Sequence, residues 1–149
     1  MMLKVSDTHI INLDTVTSVV ELNDSNRVVF NFDYPITINK NGEELQRSDY
    51  HYVDGKNAVT LKEHLGDILE RNDFIKLKNK YINPSHIALL KFDDERKRVI
   101  INLNTTISFK NKDNTKQLTS DFIYIDAVSV EEYSDLKKQI LHKYFIFKI

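Results

Sequence analysis

The sequence predicts an α+β fold of two tandem pseudo-symmetric repeats, each an antiparallel β-sheet of four to five strands followed by one α-helix. Three observations support this prediction. The chain resembles itself at an offset of about 71 residues, so that Arg27-Val28-Val29-Phe30-Asn31-Phe32 falls on Arg98-Val99-Ile100-Ile101-Asn102-Leu103. Polar and apolar residues alternate in both stretches, as in antiparallel strands. Each copy then closes with an apolar stripe of helical period. One supersecondary unit used twice produces such a pattern.

Each copy opens with two short apolar runs, predicted as strands, at 3–5 and 9–11 in the first copy and at 74–77 and 81–82 in the second. Turns follow at Asn12 and Asn83, because an Asn side chain can bond the backbone two residues further on. A hairpin comes next, with strands at 16–22 and 27–32 in the first copy and at 87–92 and 98–103 in the second. A further strand, 50–53 or 122–125, follows a polar loop.

A helix ends each copy. Thr60-Leu61-Lys62-Glu63 and Ser129-Val130-Glu131-Glu132 are both predicted capping boxes, in which a hydroxyl and a Glu satisfy free amides at a helix start. The apolar stripes are Leu61, Leu65, Ile68 and Leu69 in the first helix and Val130, Tyr133, Leu136 and Ile140 in the second. The final stretch, Phe145–Ile149, resembles the opening strand of a third copy, and we expect it to pair with the sheet or with another subunit.

Composition excludes several classes of function. Of the 149 residues, 41% are hydrophobic and 29% charged, which is ordinary for a soluble globular protein. No apolar run approaches the roughly 20 residues of a membrane span, and the N-terminus lacks the pattern of a signal peptide. The chain has no cysteine, which excludes disulfides and thiolate metal sites, and its three glycines are too scattered for a phosphate-binding loop. We therefore expect a cytoplasmic protein without a cofactor.

The charge of the chain is divided between its halves. Residues 1–73 carry 7 Lys+Arg and 13 Asp+Glu, a net charge of −6, whereas residues 74–149 carry 14 and 9, a net charge of +5. Only a tight turn at 71–74 joins the halves, so repeat 1 (1–73, acidic) and repeat 2 (74–149, basic) are expected to pack together as one compact unit. The division indicates either a basic surface for a polyanion, an acidic half that docks on a basic half, or a solvated surface without a role.

The alternation also predicts which polar side chains share a face. Arg27 and Asn31 lie opposite the core face of their strand, and Tyr50 and Tyr52 share a face of the next one; Arg98, Asn102, Phe122 and Tyr124 are their counterparts in the second copy. If these faces coincide, aromatics that stack on bases stand beside cations that neutralise phosphates, as single-strand nucleic-acid binding requires. Alternatively, the aromatics lie beneath the helices, and Arg27 and Arg98 form cross-strand ion pairs with Asp54 and Asp126.

Basic residues of the second half add to the polyanion hypothesis. Lys76, Lys78 and Lys80 alternate along a predicted strand and so project on one face, while Arg96, Lys97 and Arg98 crowd a hairpin turn. The predicted nucleic-acid-binding residues are Lys76, Lys78, Lys80, Arg96, Lys97, Arg98, Asn102, Lys110, Lys112 and Tyr124. Lysine on an edge strand is equally a device against edge-to-edge aggregation.

Catalysis is not indicated. The five histidines show no metal-ligand spacing, and serines placed mostly at caps and turns form no nucleophile–base set. We predict no catalytic residues and no metal.

Two families share features with the chain. The stretch 74–83, with Ile87 after it, resembles the central motif of LytTR-type DNA-binding domains, which are all-β modules of response regulators. The order Ile82-Asn83-Pro84-Ser85-His86-Ile87, hairpin, polar turn and Ser129-Val130-Glu131-Glu132 is similar to the small FlbD-like proteins. The first resemblance implies DNA binding.

These observations predict a non-enzymatic binding protein, of bacterial or phage origin, that engages single-stranded or regulatory DNA through the basic second repeat. The alternative is a protein–protein interaction or self-assembling module, for example a homodimer or a phage or mobile-element protein that binds a host protein. We expect no membrane partner.

Overall fold

The computed structural model describes residues 1–110 and 112–143, and in this part of the chain the fold is α+β with ten strands and two helices. The first six elements are β1 (Met2–Lys4), β2 (Ile10–Asn12), β3 (Val16–Leu22), β4 (Arg27–Lys40), β5 (Glu43–Val53) and α1 (Gly55–Arg71). The next six are β6 (Ile75–Leu77), β7 (Lys80–Ile82), β8 (Ile87–Asp93), β9 (Arg98–Lys110), β10 (Lys116–Asp126) and α2 (Val130–Lys143). The same order of elements therefore occurs twice.

All strand pairs are antiparallel, as predicted, but the sheets do not divide between residues 73 and 74. The largest sheet has the order β5-β4-β3-β7-β6, the second has the order β10-β9-β8, and β1 pairs with β2 alone. In the largest sheet Tyr81 of β7 lies opposite Val19 of β3. Two strands of the second half thus complete the sheet of the first half.

Two hydrophobic cores follow from this arrangement. The first packs Leu61, Leu65 and Leu69 of α1 on the sheet, and it includes Phe74 and Tyr81 from the second half. The second packs the other helix on the three-stranded sheet and on the β6–β7 end of the five-stranded sheet; its members are Ile75, Leu77, Ile82, Val99, Ile101, Leu103, Ile125, Tyr133, Leu136 and Ile140.

Short 3-10 turns occupy the two predicted turn positions, at Leu13–Thr15 and Pro84–His86. The Asn12 side-chain oxygen accepts from the Asp14 amide at 3.1 Å, and that of Asn83 accepts from the Ser85 amide at 3.2 Å. These bonds are the Asx-type contacts that the sequence predicts.

The two predicted helix starts have different outcomes. The second is confirmed, because Ser129 Oγ accepts from the Glu132 amide at 3.1 Å and the Glu132 carboxylate accepts from the Val128 amide at 3.2 Å. The first is wrong: α1 begins at Gly55, and Thr60 lies inside the helix with its hydroxyl donating to the Lys56 carbonyl at 3.1 Å. In α2, Val130 of the predicted stripe is exposed, since it is the first residue of the helix.

The central strands are longer than the sequence pattern indicated. β4 and β5 continue past the predicted strand ends as a hairpin closed by Asn41 and Gly42, whose φ angles are 55° and 79°. Both angles suit a type I′ turn, for which Asn-Gly is the preferred pair. Asn41-Gly42 was therefore the available signal that 33–49 is paired strand rather than a polar loop. The predicted strand Phe145–Ile149 lies outside the described residues.

No helix in the described part of the chain is long and apolar enough to cross a membrane.

Candidate nucleic-acid interface

The outer face of the five-stranded sheet carries the aromatic and polar side chains that the alternation places together. Val29 lies opposite Tyr52, and Asn31 lies opposite Tyr50, whereas Phe30 points to the core. Tyr50 and Tyr52 are both exposed. They do not lie beneath α1, because that helix packs on the other face of the sheet.

An arginine lies over a tyrosine at equivalent places in the two halves. The guanidinium carbon of Arg27 is 4.2 Å from the Tyr52 ring centroid, and that of Arg98 is 4.2 Å from the Tyr124 ring centroid. Such contacts are favourable cation–π arrangements. The arginines also approach carboxylates, so the aromatic face and the cross-strand ion pairs of the alternative hypothesis occur together.

The two ion pairs differ in closeness. Arg98 Nε donates to Asp126 Oδ1 at 2.6 Å, and this hydrogen bond raises the pKa of Arg98. Arg27 Nη2 and Asp54 Oδ2 are 4.0 Å apart. The Nε atom of Arg27 is buried without a hydrogen-bond partner in the described residues. Arg27 therefore interacts less closely with its carboxylate than Arg98 does.

A groove of about 320 Å³ separates the outer face of the large sheet from the edge strand β10. Ser18, Val20 and Asn31 line it from the large sheet, and Asn31 Nδ2 donates to Ser18 Oγ at 3.0 Å. From β10 it is lined by Phe122, Ile123 and Tyr124, and Lys80 of β7 completes the lining. The rings of Phe122 and Tyr124 are exposed, with centroids 4.8 Å apart.

Two of the predicted lysines close the free edge of β10. Lys80 Nζ donates to the Tyr124 carbonyl at 3.2 Å, and Lys78 Nζ donates to the Asp126 carbonyl at 3.0 Å. Lys78 also pairs with the Glu132 carboxylate at 2.9 Å. Burial lowers the pKa of Lys80. Both ammonium groups therefore have intramolecular partners and stabilise an edge strand.

The prediction that Lys76, Lys78 and Lys80 project on one face of one strand is wrong. A hairpin turn with Lys78 at φ 58° separates β6 from β7. Lys76 pairs with Tyr81 in register and its ammonium lies 5.5 Å from that ring centroid, whereas Lys80 pairs with Leu77. Because neighbouring positions point to opposite faces, Lys76 and Lys80 lie on opposite faces of the sheet.

The remaining predicted residues are spread along the second half. Arg96 pairs with Asp93 at 3.0 Å, and Lys97 lies in the same β8–β9 turn with φ 53°. Asn102 lies opposite Phe122 in the β9–β10 pair. Lys112 is exposed at the far end of that hairpin, and the side chain of Lys110 lies outside the described part of the structure.

The structure therefore brings Lys80 and Tyr124 to the groove, with Arg98 and Asn102 beside them, but it does not bring Lys76 or Lys112 there. Sequence reasoning missed Ser18, Val20 and Ile123 as lining residues. No local signal marks them, because the groove exists only through the pairing of β7 with β3. Within the described residues, no group of three or more His, Asp or Glu side chains is placed to hold a metal ion.

Comparisons of the chain with protein-family models, with curated proteins and with solved structures give no match.

Proposed function

We propose that this protein is a non-enzymatic binding module that holds single-stranded nucleic acid on its aromatic surface, defined as the rings of Tyr50, Tyr52, Phe122 and Tyr124 together with the groove that Phe122 and Tyr124 line. The observation that carries the proposal is that these four rings are exposed on outer sheet faces. Three of them lie beneath an arginine: Tyr52 beneath Arg27, Tyr124 beneath Arg98, and Tyr50 beneath Arg47 at 4.9 Å. Bases stack on aromatic side chains with about 1–3 kcal/mol each and with little sequence preference.

The surface draws on both halves, so the proposed interface differs from the basic footprint that the sequence indicated. Lys78, Arg96 and Arg98 are paired with carboxylates inside the molecule. Their charges are thus partly neutralised, and stacking rather than phosphate contact supplies most of the proposed affinity. The slope of log affinity against log salt then corresponds to about one or two phosphates, at about −0.7 per phosphate for a single strand.

Fluorescence anisotropy with short oligonucleotides at low salt tests this function. Tyr52→Ala and Tyr124→Ala are each expected to weaken single-strand binding by about tenfold or more. Tyr34→Ala is the matched control, since Tyr34 is also exposed but stacks on Phe32, which packs against the core. Lys112→Glu should leave binding unchanged. The proposal fails if single strands do not bind at low salt, or if the two aromatic variants bind as tightly as the wild type.

We also propose that residues 1–73 and 74–149 are two copies of one unit. The order of elements supports this, as do register shifts at equivalent places, between Val16 and Ser18 in one copy and between Ile87 and Leu89 in the other. The Asn caps and the arginine–tyrosine contacts also recur. A crystal structure in which 16–32 does not superpose on 87–103 would contradict the duplication.

A second candidate function, association with protein, is favoured by the outer edges of β8 and β2, which have no strand partner within the described residues.

A further inference from the structure

The outer edges of β8 and β2 have no strand partner within the described residues. Both edges have a paired counterpart in the other half. The counterpart of β8 is β3, whose edge receives β7, and the counterpart of β2 is β7 itself. The chain therefore contains one completed joint between its halves, the pairing of β7 with β3. In β2 and β8 it also contains the two strands of an equivalent joint, which is not formed within the described residues.

The completed joint is held by backbone and core contacts. The Asn83 backbone N–H donates to the Thr17 carbonyl at 2.8 Å, and the Glu21 backbone N–H donates to the Asn79 carbonyl at 3.0 Å. Two aromatic residues of the second half then cross into the first core: Phe74 is 1% exposed and Tyr81 is 2% exposed.

On the unmatched strand β2 and its neighbour β1, the residues at those two places are exposed. Leu3 pairs with Ile11 as Ile75 pairs with Ile82, which makes Met2 the counterpart of Phe74 and Ile10 that of Tyr81. Met2 and Ile10 are each 62% exposed. These two side chains lack the core into which their counterparts are packed.

A polar group at this joint is unmatched too. Asn83 Nδ2 donates to the Val16 carbonyl at 2.9 Å across the completed joint. The counterpart atom, Asn12 Nδ2, makes no hydrogen bond within the described residues. Amide donors at a joint of this kind are expected to find a carbonyl.

The receiving edge of β8 shows the same deficit. Val16, Thr17, Ser18 and Val19 of β3 are buried, but their counterparts Ile87, Ala88, Leu89 and Leu90 are partly or fully exposed. The second core thus lacks, at this edge, the strand pair and the two large side chains that close the first core.

We infer that a second copy of this chain fills the edge, with its β2 adding to β8 as β7 adds to β3. By equivalence with the completed joint, Ile11 lies opposite Leu89, Ile10 opposite Leu90, and His9 opposite Lys91. Met2 and Ile10 enter the second core of the neighbour, and the Asn12 side-chain Nδ2 donates a hydrogen bond to the neighbour's Ile87 carbonyl.

The two halves that meet at this interface carry net charges of opposite sign. The half that donates β2 has a net charge of −6, from 7 Lys+Arg and 13 Asp+Glu, and the half that receives it has a net charge of +5, from 14 and 9. Opposite potentials steer such surfaces together. Because the donating and receiving surfaces are different, the contact is head-to-tail, and each chain joins two neighbours in a ring or a filament.

The inference rests on the duplication proposed above and is independent of nucleic-acid binding, so its test uses protein alone. Sedimentation velocity and light scattering of the full chain should show species heavier than the 17.5 kDa protomer. Ile10→Lys and Leu89→Lys each place a charge at one side of the contact and should each reduce the protein to 17.5 kDa. Leu118→Lys, at an exposed leucine of β10 away from both edges, is the matched control and should assemble as the wild type.

Mixing the two monomeric variants tests the head-to-tail geometry. Ile10→Lys keeps an intact β8 edge and Leu89→Lys keeps an intact β2, so a mixture has one working contact and should give a one-to-one complex of twice 17.5 kDa. Thermal melts followed by circular dichroism check that both variants keep the wild-type fold. A wild type that is monomeric at every concentration, a variant that retains the wild-type mass, or a mixture that stays monomeric would each overturn the inference.

Discussion

Replacing Phe74 with alanine tests whether the second half supplies part of the first core. Phe74 is the first residue after the turn that joins the halves, and it belongs to the buried cluster that includes residues of α1 and β3. Burial of about 150–250 Å² of ring at about 25 cal/mol per Å² stabilises the fold by about 4–6 kcal/mol. Because the alanine side chain still buries part of this surface, we expect the free energy of unfolding to fall by about 3–5 kcal/mol.

Urea denaturation followed by circular dichroism measures this loss. With a denaturant slope of about 1–3 kcal/mol per M, the unfolding midpoint should fall by about 2 M. Leu118→Ala removes a side chain that is exposed on β10 and should change stability by less than about 0.5 kcal/mol. If Phe74→Ala cost as little as Leu118→Ala, Phe74 would not be part of the first core, and the pairing of the β6–β7 hairpin with β3 would be wrong.

Three further predictions concern hydrogen bonds and titration. Burial raises the pKa values of Tyr81 and Tyr133 to about 12; the folded state therefore keeps protons that the unfolded state loses from about pH 10 upward, stability falls as pH rises toward 12, and Tyr81→Phe should flatten that fall in urea titrations. Asn83→Ala removes an amide that bonds a backbone carbonyl at 2.9 Å and should cost about 1–3 kcal/mol, whereas the exposed control Asn104→Ala should cost little. The hydroxyl of Tyr133, and then Lys137, lowers the pKa of Asp94; its contribution to stability is complete above the ordinary Asp value of about 3.9 and is lost as pH falls through the lowered value, so Asp94→Asn should show a smaller loss on acidification.

The fold class and most strands are predictable because their signals are local. Alternation marks 27–32 and 98–103, and Asn12 and Asn83 mark the turns that the structure confirms. The start of α1 was not predictable from its capping pattern, because the same residues also suit a helix interior, where Thr60 bonds the preceding turn. The local signal for the true start was Asp54, a residue type favoured at the N-cap, although its side chain makes no capping hydrogen bond.

The candidate site was harder to predict because it depends on which strands pair. Lys78 adopts a left-handed turn without a glycine beside it, so the run 76–80 gives the appearance of one strand. Periodicity indicates that β7 is a strand but not that β3 of the other half is its neighbour. The groove between Asn31 and Tyr124 follows from that long-range pairing, and no spacing in the sequence encodes it.

The pairing of β7 with β3 also affects synthesis of the protein. When α1 has left the ribosome, the first sheet still lacks two of its five strands, and Ile82 must emerge before they can pair. At roughly 5–20 residues per second, this interval is about one second. During that time the nascent chain presents a bare strand edge and an open core, which is the state that chaperones recognise. The five-stranded sheet is therefore complete only after the first strand pair of the second half has been synthesised.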